Sequence, residues 1–251
     1  MNLQTILRAL SLRPAYLKLA MVGSGLAGLG LYRLLYATGL DGRGLLKSGH
    51  PAWIILCLMS LLAGGFAAVN AIRVKGAGGR PPHSLPACIA CAAAAVSTLL
   101  SAISDLGNGS IIYAFAALLA VLSFGAVALC RLQGRRPNFL LHVVICIFFT
   151  LQMLKIYQTR SVDPQIQDYF FQLLACIALT TTAYQLAAFD LGRGQRRWLC
   201  LAALCAVYLC VVSLGSTSTC FYLTGAAWAF TAIPTPRRTR RPQTEEHTEH
   251  T

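Results

Sequence analysis

The sequence predicts an all-α fold: a polytopic membrane bundle of about eight transmembrane helices, with both termini cytoplasmic. Three observations carry this. Apolar residues make up 56% of the 251-residue chain, and its mean hydropathy is +0.61. Those residues gather in runs of roughly 20, the length a helix needs to cross the hydrocarbon core. Lysine and arginine fall in every second connection between the runs. Backbone amides cannot be left unpaired in lipid, so each such run must be a helix.

The elements follow in order. Leu3, Ile6, Leu7 and Leu10 are spaced i, i+3, i+4, i+7, with Gln4, Thr5 and Arg8 on the other side. Residues 1–14 therefore read as an amphipathic segment lying on the inner leaflet. They do not read as a cleaved signal, because Tyr32, Arg33 and Tyr36 follow where a small-residue cleavage site belongs. Pro14 suits the first turn of a first span over 16–36. Further spans are expected at 52–72, 84–103, 111–130, 139–157, 169–189 and 198–214. The eighth, 220–233, is the shortest and crosses only if it borrows the neutral 215–219 turn. The bundle thus occupies 15–233. The tail, 234–251, is rich in Pro, Arg, Thr and Glu, cannot bury enough surface to fold, and is expected to be disordered. His247 and His250 stand among its glutamates, but a solvated tail accounts for them better than a metal site.

Charge gives orientation. One side takes Arg8, Arg13, Lys18, Arg73, Lys75, Arg80, Arg131, Arg135, Arg136, Arg193, Arg196, Arg197, Arg237, Arg238, Arg240 and Arg241. The other takes only Arg33, Arg43, Lys47, Lys155 and Arg160. The positive-inside rule places the larger set in the cytoplasm. Tyr32, Tyr36, Trp53, Tyr113, Tyr157, Tyr169 and Tyr222 fall near the predicted outer boundary, where an aromatic belt is expected.

The net charge of +13 belongs to these inner loops and suits anionic lipid. No basic stripe is interleaved with exposed aromatics, so nucleic acid is not an expected partner. The expected partners are the bilayer, anionic lipids at the inner loops, and either another membrane protein or a second copy of the chain. The ten cysteines lie in or at the edges of spans, so they read as soft apolar residues and not as a disulfide framework.

Several motifs have plain alternatives. Gly23, Gly25 and Gly28 match G-x-G-x-x-G, but no strand precedes them and no βαβ unit surrounds them. Small residues at Ala20, Ser24 and Gly28, and at Gly23 and Ala27, instead suggest helix packing. Gly64, Gly65, Ala92 to Ala95, Ala116, Ala120 and Gly225 suggest the same. Cys88 and Cys91 form a C-x-x-C that would suit an intramembrane thiol enzyme, yet they fall toward the cytoplasmic end. Cys200, Cys205 and Cys210 point about 140° apart and cannot share a metal within one helix. Before Glu245 the chain has no glutamate. Asp41, Asp105, Asp163, Asp168 and Asp190 are placed in connections or at span ends, leaving no mid-membrane carboxylate for a proton relay. No G-x-S-x-G elbow or H-E-x-x-H motif is present. No cofactor or metal is expected.

The densest polar set spans the fifth and sixth helices. Gln152 and Lys155 share one face, and Gln165, Asp168 and Gln172 share another. Asp163-Pro164 reads as an N-cap with proline at the first helical position. An outer binding pocket of Gln152, Lys155, Tyr157, Asp168 and Gln172 is the candidate site, with Lys155 paired to Asp168. A capped, solvated hairpin is the plain alternative.

Ser161-Val-Asp163-Pro164-Gln165, Gln172-Leu-Leu-Ala175, the run from Ala187 through Asp190 to Gly194, and Arg197 resemble a family of uncharacterised bacterial multi-spanning membrane proteins. The resemblance covers the fifth span onward. It implies a multi-pass protein of the bacterial cytoplasmic membrane and adds no activity. The polar set on the fifth and sixth helices points to a function that is permease-like or small-solute binding. A membrane scaffold or partner subunit is the first alternative, and a thiol redox enzyme the second.

Overall fold

The computed structural model describes residues 14–39, 50–73, 85–160, 169–215 and 218–233. The N-terminal amphipathic segment, Asp163 and Asp168, and the C-terminal tail lie outside the described residues. Eight helices are present among those described: α1 Pro14–Thr38, α2 Pro51–Arg73, α3 Leu85–Gly107, α4 Ile111–Leu132, α5 Phe139–Arg160, α6 Phe170–Asp190, α7 Arg196–Val212 and α8 Thr219–Ala232. A 3-10 turn, Ser213–Gly215, extends α7. No strand occurs among the described residues.

The first seven helices are long and apolar enough to cross a membrane. Together they make the chain a multi-pass membrane protein. The eighth has 14 residues. At a rise of 1.5 Å per residue it reaches about 21 Å, short of the ~30 Å hydrocarbon core. Its shortness is offset by burial: Tyr222, Trp228, Ala229 and Ala232 are almost wholly enclosed by other helices.

Each helix from α3 to α8 packs on the next, and α8 returns to α3, closing a ring. Helices α1 and α2 lie against α7, which also touches α6 and α8. Successive helices run in opposite directions. Lys18, early in α1, reaches the Phe230 carbonyl late in α8 at 3.3 Å. The Cys88 thiol, early in α3, donates to the Ala128 carbonyl late in α4 at 3.4 Å. One end of the bundle thus collects Arg131, Arg135, Arg136, Arg193, Arg196 and Arg197. We call it the basic end and its opposite the far end.

Close packing follows the small residues, as helices without a hydrophobic force between them require. A Cβ on Gly25 would stand 2.9 Å from that of Val211, and one on Gly28 would meet Val212 at 2.8 Å. The G-x-G-x-x-G glycines therefore sit mid-helix, two of them against α7. Gly23 has open space beside it, as do Gly64 and Gly65. Lys18 satisfies one of the carbonyls a helix end leaves free, with its ammonium 5.0 Å from the Phe230 ring.

The aromatic belt differs from expectation. Tyr32, Tyr169 and Tyr222 are 5%, 2% and 1% exposed, so they face the interior and not the lipid headgroups. Two have a ring contact at hand: Tyr32 meets Phe171 edge-on at 6.3 Å, and Tyr222 meets Phe221 at 5.2 Å. Tyr157 and Trp198 are exposed as a belt requires.

Candidate functional site

A polar cavity of about 250 Å³ opens at the far end between α3, α5, α6 and α8. Ser101 and Ser104 come from α3, and Gln152, Lys155, Ile156 and Thr159 from α5. Gln172 comes from α6, with Ser218, Phe221 and Tyr222 at the start of α8. Positions 152, 155, 156 and 159 are one helical face at i, i+3, i+4 and i+7. That periodicity is why these α5 side chains reach the same space. Gln152, Lys155 and Gln172 are thus brought together. Tyr157, on the other side of α5, is 55% exposed and does not line the cavity.

Lys155 is held by an unexpected partner. Its ammonium bonds and pairs with Oδ1 of Asp105 in α3. The sequence reading ended the third span at 103 and left Asp105 in a connection. The helix continues to Gly107, which turns Asp105 inward, where it is 0% exposed. Asp168, the partner expected from sequence, lies outside the described residues.

The turn after α3 fixes the Asp105 backbone. Gly109 has φ +73°, a conformation that costs a residue with a Cβ about 1–2 kcal/mol. This lets the Gly109 amide donate to the Leu106 carbonyl at 3.0 Å and Ser110 to the Asp105 carbonyl at 2.9 Å. The pattern is a Schellman closure. It places a carboxylate near the negative end of the α3 dipole, an unfavourable position that needs a nearby cation. Lys155 supplies it. Asp105 Oδ2 is buried and has no hydrogen-bond partner among the described residues. On the rim, the Tyr113 hydroxyl of α4 donates to Gln158 Oε1 of α5 at 2.6 Å.

Gln152 and Gln172 are each 9% exposed. Among the described residues neither carboxamide has a hydrogen-bond partner. Their amide groups open onto the cavity, where donors and acceptors are available to something within it.

Phe221 lies between this cavity and a void of about 10 Å³ toward the middle of the bundle. The void is bordered by Ser97, Thr98 and Thr224, with Phe124, Phe149 and Trp228. Ser97 and Thr224 join α3 to α8 at 2.7 Å. Trp228 packs on Phe124 at 5.8 Å and on Phe149 at 5.7 Å. Ser97, Ser101 and Ser104 therefore form a hydroxyl stripe along α3 that passes the Phe221 ring. A second cavity, about 340 Å³ and mostly apolar, lies between α1, α2, α6 and α7, with Gly64 on its wall, beside the Ser60–Tyr208 hydroxyl pair.

A second contact of a base with a carboxylate sits at the basic end. His142 Nδ1 of α5 stands 2.8 Å from Asp190 Oδ2 of α6, with side chains 2% and 9% exposed. The approach is close but off the hydrogen-bonding directions. Sequence reading missed it, because a single histidine in an apolar run has no pattern to mark it.

Other sequence candidates resolve simply. All ten cysteines are free thiols, and Cys88 and Cys91 are buried. Among the described residues no group of three or more His, Cys, Asp or Glu is placed to hold a metal. The chain matches no protein-family model, no curated protein and no solved structure.

Proposed function

We propose that this chain is a permease-like or small-solute-binding protein of the bacterial cytoplasmic membrane, with its site in the far-end cavity. The observation that carries this is the pair of unpartnered carboxamides, Gln152 and Gln172, facing a cavity beside a paired ammonium. Ionisable groups within membrane helices mark solute or ion pathways more often than structure. The hydroxyl stripe past Phe221 gives the cavity a polar continuation inward, with that ring as the barrier. The charge bias of the loops places the basic end in the cytoplasm and opens the cavity to the outside.

Proteoliposome swelling tests it. Vesicles carrying the full chain are challenged with isosmotic glycerol, urea, alanine or sodium lactate. At least one solute should enter faster than into empty vesicles, and Gln152→Leu with Gln172→Leu should abolish the gain. Phe221→Ala should raise the rate. Rates equal to empty vesicles for every solute, in both the native chain and the Phe221 variant, would remove the permease reading.

The exposed Gly65 on α2, next to Gly64 on the wall of the apolar cavity, favours a second reading, a scaffold that seats a partner helix there. Gly64→Leu with Gly65→Leu would then release a co-purifying partner and leave swelling unchanged.

A further inference from the structure

We propose that the far-end cavity takes a small uncharged polyol, held through the hydroxyls of Ser101 and Ser104 and the carboxamides of Gln152 and Gln172. This rests on the small-solute reading above and names the ligand class of the same site.

Two serines of α3 break a pattern that the rest of the bundle keeps. A serine or threonine inside a helix either returns its hydroxyl to a carbonyl about one turn back or turns it outward. In lipid the return bond is favoured, because the hydrocarbon offers no other acceptor. Within the eight helices every serine and threonine but two donates to a carbonyl three to five residues earlier. The two that do not are Ser101 and Ser104, one turn apart, and both line the same cavity. Neither hydroxyl has a hydrogen-bond partner among the described residues. Thr38 and Thr159 are exposed and keep their return bonds. Exposure alone therefore does not release a hydroxyl in this bundle.

The ligand class follows from what the cavity offers. A serine hydroxyl and a carboxamide each both donate and accept. Four such side chains, from α3, α5 and α6, surround one space of about 250 Å³. None of the four is bonded to another described residue. A carboxylate only accepts, so it leaves the carboxamide oxygens unmatched. An ammonium only donates, so it leaves their N–H groups unmatched. A ligand hydroxyl does both, and its hydrogen rotates to suit each partner. Several hydroxyls on one chain meet several such side chains at once. The Lys155 charge is already met by Asp105, and the ammonium has N–H donors left for a hydroxyl oxygen. Urea also donates and accepts, but it has no C–H to lay against Ile156 and Phe221, which complete the wall. The polyol is small, because the cavity falls below the roughly 300–1,000 Å³ of sites for drug-sized ligands.

The test is equilibrium binding of radiolabelled glycerol, erythritol and xylitol to the full chain in lipid nanodiscs. The competitors are butanediol with hydroxyls only at its ends, urea, acetate and choline. At least one polyol should bind saturably, and each competitor should displace it at least tenfold more weakly than the same polyol unlabelled. Ser101→Ala with Ser104→Ala should weaken the polyol at least tenfold. Unfolding stability should not change, because neither hydroxyl bonds to the protein. Ser123→Ala, which removes a return bond on α4 outside the cavity, should leave binding unchanged. The competition series on the unaltered chain tests the ligand class without any variant. Displacement by butanediol, urea, acetate or choline as strong as by the polyol would overturn the polyol class. Polyol binding that survives loss of both serines would overturn the role of α3. Saturable binding of none of the three polyols would overturn the inference as a whole. In that case entry of alanine or lactate in the swelling assay leaves the small-solute reading standing, and entry of no solute removes it as well.

Discussion

The two ends of the bundle each carry a carboxylate paired with a base from α5, and they differ in access. Asp105 and Asp190 both sit at a helix C-terminus, where the dipole disfavours negative charge. Both helix ends close on a glycine with positive φ, Gly109 at +73° and Gly192 at +78°. Both are compensated across helices, by Lys155 and by His142. At the basic end both partners are enclosed, and the pair clamps α5 to α6. At the far end the base reaches a cavity lined by unpartnered amides, so Lys155 is within reach of a solute. The same electrostatic problem thus has an enclosed solution and an accessible one, and what separates them is the cavity beside Lys155.

The largest effect should come from breaking the far-end pair. Lys155→Ala strands a buried carboxylate and should lower unfolding stability in detergent by about 3 kcal/mol, the lower end for a buried pair because cavity water reaches it. Solute binding should be lost as well. Adding Asp105→Ala should recover at least about 1 kcal/mol, since residues in one network couple by that order. The cycle with Asp168→Ala, the partner the sequence suggested, should be additive. Coupling carried by Asp168 and not by Asp105 would break the comparison at the far end.

A middling effect is expected at the clamp. His142→Ala removes a buried partner of Asp190 and leaves space, and should cost about 2 kcal/mol. Swelling rates and any solute affinity should stay within about twofold, because the site lies at the other end. Loss of solute binding with stability intact would mean that the clamp belongs to the working machinery.

Much of this was legible in the chain. Hydropathy and charge alternation place seven spans within a few residues of α1 to α7, because length and apolarity are all a bilayer requires. Helical periodicity brings Gln152 and Lys155 to one face. What sequence missed is long-range. Asp105 lies 50 residues from Lys155, and a hydropathy window closes the third span just before it. Ser101, Ser104 and Ser218 carry too little hydropathy to stand out, and Phe221 reads as any apolar residue until the fold sets it between two cavities. The interior tyrosines were missed for the opposite reason. Near a span end a tyrosine matches the belt pattern whichever way its ring turns.

The smallest effect sharpens the comparison most. Gly109 and Gly192 do the same backbone work, and neither has an atom within 4 Å of where a Cβ would sit. Replacing either with alanine therefore adds no clash and costs only the left-handed conformation, about 1 kcal/mol. The two stability losses should match within a few tenths, the usual error of comparing equivalent sites. Their functional effects should not match. Gly109 closes the turn whose Ser110 amide bonds the Asp105 carbonyl, so relaxing it shifts the carboxylate that holds Lys155. Gly192 closes the turn beside Asp190, which faces no solute. Gly109→Ala should change solute affinity several-fold, while Gly192→Ala leaves it unchanged. Equal functional effects from the two would show that the far-end pair is as closed to solute as its counterpart, and the distinction between them would fall.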